Sequence, residues 1–178
     1  MISLSPIDAG RKSGYSSRPN DHEIAMKQDG LTRPERQLVD AAKKARLRAH
    51  AHLSRFKVGA AARYGGQIVL GCNVESDVYG LTNCAERTAI FAAHANGAAS
   101  KPLHAIAVVA DTLEPVAPCG ACRQILAEQG GPGLRVIMAN LHGDIRVTTI
   151  AELLPGCFRL DSTRARTKKS PRKKPQPA

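Results

Sequence analysis

Aromatic residues are scarce in this sequence. The 178-residue chain has no tryptophan, three tyrosines and three phenylalanines, and none of them lies in the basic stretch 162–178. Proteins that bind single-stranded nucleic acid usually stack successive bases on aromatic side chains along a basic groove. The composition therefore disfavours a polynucleotide-binding channel, although the basic stretch leaves a nonspecific contact with nucleic acid open as an alternative.

Long hydrophobic runs are missing as well. No apolar run reaches the ~18–20 residues that a membrane-spanning helix needs, and the N-terminus lacks the apolar core of a secretory signal. The five cysteines are an odd number and too few for a disulfide scaffold. We therefore expect no membrane partner and a reducing, cytoplasmic location.

Positive charge is concentrated at one end of the chain. The formal net charge is +11, and residues 162–178 carry seven basic residues and no acidic one. Residues 1–30 are neutral overall, which leaves a net charge of +4 on residues 31–161. We predict a flexible leader at 1–30, one catalytic domain at 31–161 and a disordered basic tail at 162–178.

Capping signals, turn signals and apolar patterns predict alternating helices and strands. Thr32-Arg33-Pro34-Glu35 has the pattern of a capping box at a helix start, and Gly65-Gly66 is typical of a β-hairpin turn. Apolar residues recur at helical spacing as far as Ala49, which predicts that the first helix ends near His50. The predicted strands cover residues 56–64, 67–74, 103–110, 134–140 and 145–149, and the first two are expected to be buried on both faces because they are rich in alanine and valine. The later helices cover 84–95, 119–129 and 150–154. This alternation predicts an α/β sandwich with one sheet covered on both faces.

Two short cysteine segments predict a metal site. Cys84 precedes the C-x-x-C pair Cys119 and Cys122 by 35 residues. Three thiolates would leave one tetrahedral position of Zn²⁺ open, as catalytic zinc sites require. A purely structural zinc module would need a fourth protein ligand, which the sequence does not indicate.

A carboxylate and a cation flank the first of these cysteines. Glu86 is two residues beyond Cys84, where it can transfer protons as a general acid and base. Cys84 and Cys119 fall at predicted helix starts, where backbone N–H groups favour the thiolate. Three thiolates give the zinc centre a formal charge of −1, and Arg87 could donate to a sulfur and offset that charge.

Four segments of the chain occur in the order and spacing of a known family. They are residues 56–61, 71–75, 84–89 and 118–124, and the last contains the P-C-x-x-C pattern of zinc-dependent base deaminases. Residues 54–124 thus resemble the small cytidine deaminases of pyrimidine salvage, in the variety with three cysteine ligands. The resemblance implies a three-layer α/β/α sandwich with a five-stranded mixed sheet, and a homotetramer. It also implies hydrolysis of cytidine and deoxycytidine to uridine and deoxyuridine, with release of ammonia.

The resemblance further implies which residues contact the nucleoside. Asn73 and Glu75 match the pair that hydrogen-bonds the ribose hydroxyl. Their alternation with Val74 in a predicted strand places both side chains on one face. Phe56 matches the aromatic residue that packs against the substrate, and Ala85 matches the position whose backbone N–H holds the pyrimidine edge.

Two further aromatic residues are assigned by the resemblance alone. Tyr79 and Phe158 match positions through which neighbouring subunits complete one another's pockets. The alternative reading of Tyr79, Phe158 and Phe56 is that they are ordinary core residues.

Three departures from the family pattern affect the surroundings of the site. His52 and Leu53 precede Ser54 where the family usually has Pro-Tyr, Ser76-Asp77 replaces the common Asn-Ala, and Ala117 replaces a frequent Ser before Pro118. None of them removes a zinc ligand or Glu86.

Two alternative functions stay open at this point. One is deamination of another aminopyrimidine nucleoside, as in the related blasticidin-type enzymes. The other is nucleic-acid binding or polynucleotide editing that uses the basic tail. The paired Asn73 and Glu75 favour plain nucleosides.

Overall fold

The computed structural model describes residues 30–160. The basic tail at 162–178 and all but the last residue of the proposed leader lie outside this range. Within it, the helices are α1 (Arg33–Arg46), α2 (Ala85–Ala95), α3 (Gly120–Gly130) and α4 (Ile150–Leu153), and the strands are β1 (Val58–Tyr64), β2 (Gln67–Cys72), β3 (Leu103–Ala110), β4 (Arg135–Ala139) and β5 (Ile145–Thr149). Among these residues, no helix is both long and apolar enough to cross a bilayer.

The five strands form one mixed sheet in the order β2-β1-β3-β4-β5. The pairs β1–β2, β1–β3 and β4–β5 are antiparallel, whereas β3 and β4 are parallel and are joined through α3. Parallel neighbours present their carboxyl ends at the same edge of a sheet. The loops that follow β3 and β4 are therefore neighbours in space.

Side chains of successive residues in the central strands point to opposite faces of the sheet, and a hydrophobic core forms on each face. On one face, residues of α1 such as Leu38 and Ala42 pack with Ala61, Ala107 and Ile137. The opposite face is covered by α2 and α3, and its buried residues include Ala60, Ala62, Ile90, Ile106, Val108, Leu126 and Val136. Odd and even positions of β1 and β3 thus serve different cores, as the period of two in a strand requires. The predicted α/β/α sandwich with a five-stranded mixed sheet is confirmed.

Two predicted details of the N-terminal half are wrong. The pattern predicts β2 to be buried on both faces, but β2 is an edge strand whose residues alternate between buried and partly buried positions. Helical spacing extends α1 to His50, but α1 ends at Arg46. His50 instead pairs with the 73–75 segment, because its N–H donates to Asn73 and its carbonyl accepts from Glu75.

Glycines allow two helices to lie unusually close to the sheet. A Cβ on Gly59 would lie 2.1 Å from the carbonyl oxygen of Ala42 in α1. A Cβ on Gly71 would lie 2.3 Å from the carbonyl oxygen of Ala85 and 2.4 Å from the amide nitrogen of Ala89, both in α2. The absence of a side chain at Gly71 thus sets the height of the N-terminal turn of α2 above β2.

A buried acidic residue ties the first helix to the sheet. Glu35 is 7% exposed and accepts hydrogen bonds from the backbone and hydroxyl of Thr32, which completes the predicted capping box. Its other oxygen accepts from Arg135 Nε of β4 at 2.6 Å. Burial alone would raise the pKa of Glu35, but the bonds from Thr32 and Arg135 outweigh it and hold the pKa below 4.5.

Candidate active site

The three cysteines of the predicted metal site come together at two helix N-termini. Cys84 is the N-cap residue of α2, Cys119 is the N-cap residue of α3, and Cys122 is fully buried in the first turn of α3. Their sulfur atoms lie 3.8 Å apart for Cys84–Cys119 and 3.5 Å apart for Cys119–Cys122, and all three are within 4.8 Å of one another.

This geometry fits a tetrahedral zinc ion. A Zn–S bond of about 2.3 Å in a tetrahedral site places neighbouring sulfurs about 3.8 Å apart, close to the separations found here. Within residues 30–160, no fourth histidine, cysteine or carboxylate joins the cluster. Three protein ligands and one free position are the arrangement of catalytic rather than structural zinc.

Hydrogen bonding between the thiols prepares them for a cation. The bond from Cys122 lowers the pKa of Cys84 to about 5; burial opposes this shift, while Arg87 and Cys119 add to it. The same bond, together with burial, raises the pKa of Cys122. The two shifts have one cause, the interaction between neighbouring sulfurs, and they favour Cys84 as the thiolate of the cluster. A metal cation bound by the three cysteines would displace their thiol protons, because coordinating thiols are deprotonated outright.

Arg87 places a positive charge beside the thiols. Its terminal nitrogen lies 3.7 Å from the sulfur of Cys84 and donates to the carbonyl oxygen of Thr82 at 3.1 Å. The hydrogen bond to Cys84 raises the pKa of Arg87, so the guanidinium stays charged. A cation held at this distance compensates part of the charge of three thiolates.

A cavity of about 320 Å³ opens beside the thiols. Its floor contains Cys84, Cys119 and Glu86, whose side chain lies in the first turn of α2 and is 4% exposed. Burial, with the negative charge of Cys84 adding to it, raises the pKa of Glu86. The cavity is also lined by Phe56, Val58, Asn73, Glu75, Thr82, Ala85, Val108, Val116 and Ala117. Its volume suits a single small organic molecule.

Asn73 fixes the wall of the cavity that carries Phe56. Its amide oxygen accepts from the N–H of Val58 at 2.8 Å, and its amide nitrogen donates to the carbonyl oxygen of Phe56 at 2.8 Å. Asn73 is 8% exposed, and one N–H and one lone pair have no protein partner in these bonds. They are the groups that Asn73 can offer to a ligand.

Glu75 holds the same wall from its other end. One carboxylate oxygen accepts from the N–H groups of Leu53 and Ser54 at 2.8 and 3.1 Å, and the other accepts from the Ser54 hydroxyl. The Ser54 hydroxyl is the main reason that the pKa of Glu75 lies below its usual range. Asn73 and Glu75 both line the cavity, and both also order the segment that precedes β1.

Two of the departures from the family pattern contact each other. His52 Nε2 lies 3.1 Å from the carboxylate of Asp77, and both side chains are largely exposed. His52 replaces a usual proline on one side of this wall, and Asp77 replaces a usual alanine on the other. The pair therefore adds a link between the 52–56 segment and the 75–77 segment that the common pattern cannot form.

The structure does not bring every expected site residue to the cavity. Tyr79 lies on an exposed 3₁₀ turn, Tyr79–Leu81, and is 80% exposed, and Phe158 is 61% exposed. Neither lines the cavity of its own chain. The reading of both as core residues is therefore wrong, and that of Phe56, which is 42% exposed, is wrong as well.

Sequence reasoning missed several lining residues. Val116 and Ala117 could have been found, because they directly precede Pro118 and Cys119 and must border whatever Cys119 binds. Thr82 and Val108 gave no such signal, since a threonine in a loop and a valine in a buried strand are ordinary in any fold.

Comparison with known proteins agrees with this site. Residues 32–138 match the family described as the cytidine and deoxycytidylate deaminase zinc-binding region. The chain belongs to this family. Zinc is the metal for which its three thiols are arranged.

Individual relatives narrow the class further. A cytidine deaminase from Sporosarcina psychrophila is 52% identical over 122 residues, which cover 68% of this chain and 88% of the relative. A cytidine deaminase from Halalkalibacterium halodurans is 51% identical over 122 residues, covering 68% and 91%. The crystal structure of cytidine deaminase from Burkholderia pseudomallei superposes with a TM-score of 0.67 at 51% identity, covering 72% of this chain and all of that one.

Proposed function

We propose that this protein catalyses the hydrolytic deamination of cytidine and deoxycytidine to uridine and deoxyuridine, as an enzyme of pyrimidine salvage. The observation that carries this proposal is the cavity with Glu86, Cys84 and Cys119 on its floor and Asn73 and Glu75 on one wall. The buried sulfur of Cys122 lies directly behind that floor, within 4.8 Å of the other two sulfurs. A reducing compartment such as the cytoplasm would keep those cysteines available as metal ligands.

Glu86 moves the protons of the reaction. A zinc ion held by Cys84, Cys119 and Cys122 would supply Lewis acidity, which makes water nucleophilic at neutral pH. Glu86 accepts a proton from the attacking water as its oxygen forms a bond to C4 of the pyrimidine. Glu86 then delivers that proton to N3.

A second proton transfer completes the reaction. Glu86 accepts the remaining proton of the added oxygen and donates it to the exocyclic nitrogen. The C4–N bond breaks, ammonia leaves and the C4 carbonyl forms, which restores the carboxylate of Glu86. The buried position of Glu86 keeps bulk water away from these transfers.

The wall of the cavity holds the nucleoside. Phe56 offers an apolar surface to the pyrimidine, and the N–H of Ala85 in the first turn of α2 faces its polar edge. Asn73 and Glu75 bind a ribose hydroxyl. Arg87 compensates the negative charge of the thiolates.

The charges around the cavity favour nucleosides over nucleotides. Among the residues that the structure describes, its lining includes the carboxylates of Glu75 and Glu86 but no lysine, arginine or histidine. A 5′-phosphate would bring two further negative charges toward these carboxylates, and juxtaposed like charges cost several kcal/mol. We expect kcat/KM for cytidine to exceed that for its 5′-monophosphate by at least ~100-fold.

We further propose that the enzyme acts as a homotetramer. Val78, Tyr79 and Leu81 are 62%, 80% and 71% exposed on one turn, which is an apolar patch of the kind that mediates protein contacts. Tyr79 and Phe158 would then complete the pockets of neighbouring subunits. Light scattering tests the assembly, and a fully active monomer would contradict the role of both residues.

Ammonia release from a panel of substrates tests the proposed function. The panel contains cytidine, deoxycytidine, cytosine, blasticidin S and a cytosine-containing oligonucleotide. We expect rapid turnover of the two nucleosides and poor turnover of the rest. Preference for blasticidin S would point to an antibiotic deaminase, and preference for the oligonucleotide would point to a polynucleotide editor.

Glu75→Ala tests how the nucleoside is distinguished from the free base. Cytosine has no hydroxyl for Asn73 and Glu75, and each unmet polar group costs about 1–3 kcal/mol. We expect Glu75→Ala to lower kcat/KM for cytidine far more than it changes the poor kcat/KM for cytosine. Ser54→Ala is the control, since it loosens the same wall but leaves the carboxylate in place. Comparable kcat/KM for both substrates in the unmodified enzyme would contradict the assignment.

A further inference from the structure

Within residues 30–160, Asn140 is the most deeply buried of the polar and charged side chains outside the cavity. It directly follows β4 and is 1% exposed. Its amide oxygen accepts from the N–H groups of His142 and Asp144, each at 2.9 Å. Its amide nitrogen donates to the carboxylate of Asp144 at 2.7 Å and to the carbonyl oxygen of Leu113 at 2.9 Å. Both donors and both acceptor positions of the amide are thus occupied.

The bond to Leu113 reaches into a different segment from the others. Leu113 lies in the loop 111–117, which connects β3 to Pro118 and Cys119. The side chain of Leu113 is 90% exposed, so it does not anchor the loop. Two residues of the same loop, Val116 and Ala117, line the cavity.

Other attachments of this loop lie at its two ends. The Asp111 carboxylate pairs with Arg46 at 3.4 Å and with His142 at 3.6 Å, but Asp111 is 53% exposed. Such exposed pairs are worth little. At the other end, the carbonyl oxygen of Pro118 accepts from Arg123 Nε at 2.7 Å. The hydrogen bond from the buried amide of Asn140 to Leu113 therefore holds the middle of the loop.

We propose that Asn140 is a positioning residue for the deamination reaction, which sets the loop 111–117 so that Val116 and Ala117 close the cavity beside Cys119. This inference rests on the proposed function. It follows from the parallel pairing of β3 and β4, which brings the ends of both strands to the same edge of the sheet. A buried amide at the end of β4 can thereby control a loop that begins at the end of β3.

Two substitutions separate the loop contact from the turn contacts. Asn140→Asp keeps the acceptor for His142 and Asp144 N–H but places oxygen against the Leu113 carbonyl and the Asp144 carboxylate. Adding Asp144→Asn returns a donor to the turn 140–144, because the two side chains exchange their roles. The carbonyl of Leu113 is still left without a donor. The double variant therefore repairs the turn and leaves the loop unattached.

The experiment compares both variants with Ile137→Val, a core substitution in the same strand that faces the α1 side of the sheet. We expect Asn140→Asp to lower kcat/KM for cytidine roughly 10- to 100-fold, with the zinc content unchanged. The double variant should regain thermal stability but not kcat/KM. Ile137→Val should lower stability while kcat/KM stays within about twofold.

Hydrogen–deuterium exchange of the peptide 111–117 gives a readout that does not depend on catalysis. Exchange should be faster in Asn140→Asp and in the double variant than in Ile137→Val. If the double variant recovers kcat/KM and slow exchange, Asn140 serves only the turn and the proposal is wrong. If exchange rises but kcat/KM does not fall, the loop does not position the site and the proposal is also wrong. Failure of the unmodified enzyme to deaminate cytidine would instead contradict the proposed function.

Discussion

The cysteines and Glu86 divide the chemistry of the site between metal binding and proton transfer. All four residues lie within one and a half turns of two helix N-termini. Because Glu86 does not belong to the sulfur cluster, the two tasks can be separated by single substitutions.

Glu86→Gln should retain zinc and the fold but lower kcat by about 10²–10⁴-fold, the usual contribution of a general acid and base. Cys119→Ser should instead lose zinc, because a hydroxyl is a poor substitute for a thiolate ligand. Metal analysis and steady-state kinetics of both purified variants test this. Glu128→Gln, at an exposed position of α3, is the control and should behave as the unmodified enzyme. Zinc loss in Glu86→Gln would contradict the assignment.

At this scale the sequence predicted the metal centre well, because the cysteine spacing alone constrains it. It predicted less about the cavity wall that Asn73 and Glu75 order. The carboxylate of Glu75 and the amide of Asn73 are engaged by Ser54, Leu53, Phe56 and Val58. A sequence pattern can assign Asn73 and Glu75 to a ligand, but it does not show that the same side chains also order the segment that precedes β1.

The close packing of α2 on β2 fixes the position of the site residues at the start of α2. Gly71→Ala would place a methyl group 2.3 Å from the Ala85 carbonyl oxygen. The N-terminal turn of α2, with Cys84 and Glu86, must then move away from the sheet. We expect a loss of about 1–3 kcal/mol in unfolding free energy and a fall of ~10-fold or more in kcat/KM.

Gly66→Ala is the matched control for this substitution. Gly66 lies in the hairpin turn before β2, and a Cβ there would have no atom within 4 Å. Urea unfolding and cytidine kinetics of both variants test the prediction. Equal kcat/KM for the two variants would show that the height of α2 does not matter for the site.

The link between α1 and β4 should make stability depend on pH. Because the hydrogen bonds from Thr32 and Arg135 hold the folded-state pKa of Glu35 below its unfolded-state pKa, the carboxylate stabilises the fold fully above the unfolded-state pKa. The contribution is lost as the pH falls through the folded-state pKa. Glu35→Gln should therefore cost about 1–2 kcal/mol at pH 7 and progressively less below pH 4.5.

Urea unfolding of the unmodified protein and Glu35→Gln at pH 7 and at acidic pH measures this difference. Asp40→Asn, an exposed carboxylate of the same helix, is the control and should show a small effect at both values. A difference for Glu35→Gln that stays constant or grows toward acidic pH would rule out the expected linkage.

At the scale of elements, the alternation of helices and strands was predictable from the sequence. The two wrong predictions, the end of α1 and the burial of β2, each have a physical cause. Alanine is a good helix former, so Ala45 and Ala49 extend the predicted α1, but pairing of His50 with the 73–75 segment ends the helix earlier. Polar and apolar residues hardly alternate along β2, which contains isoleucine, valine, leucine and glycine in succession. Whether such a strand lies at the edge of a sheet depends on tertiary pairing.

For the molecule as a whole, the unequal distribution of charge predicts that the tail is separable from catalysis. Removal of residues 162–178 takes away seven positive charges and leaves in place every lining residue that the structure describes within 30–160. We expect kcat/KM for cytidine to stay within about twofold. Any affinity for nucleic acid should vanish with the tail, and in the full chain it should fall steeply with salt concentration. Loss of cytidine turnover in a folded, truncated protein would place the tail in the site.

The position of the sulfur cluster also has a thermodynamic consequence. Cys84 and Cys119 are 35 residues apart in the chain, and the segment between them contains α2 and β3. An ion held by both residues acts as a cross-link that closes this segment into a ring. For a covalent cross-link, a ring of this size reduces the entropy of the unfolded chain by the equivalent of about 4 kcal/mol. A bound zinc ion would therefore stabilise the fold as well as take part in catalysis. The folded fraction of the protein would then depend on the concentration of available zinc.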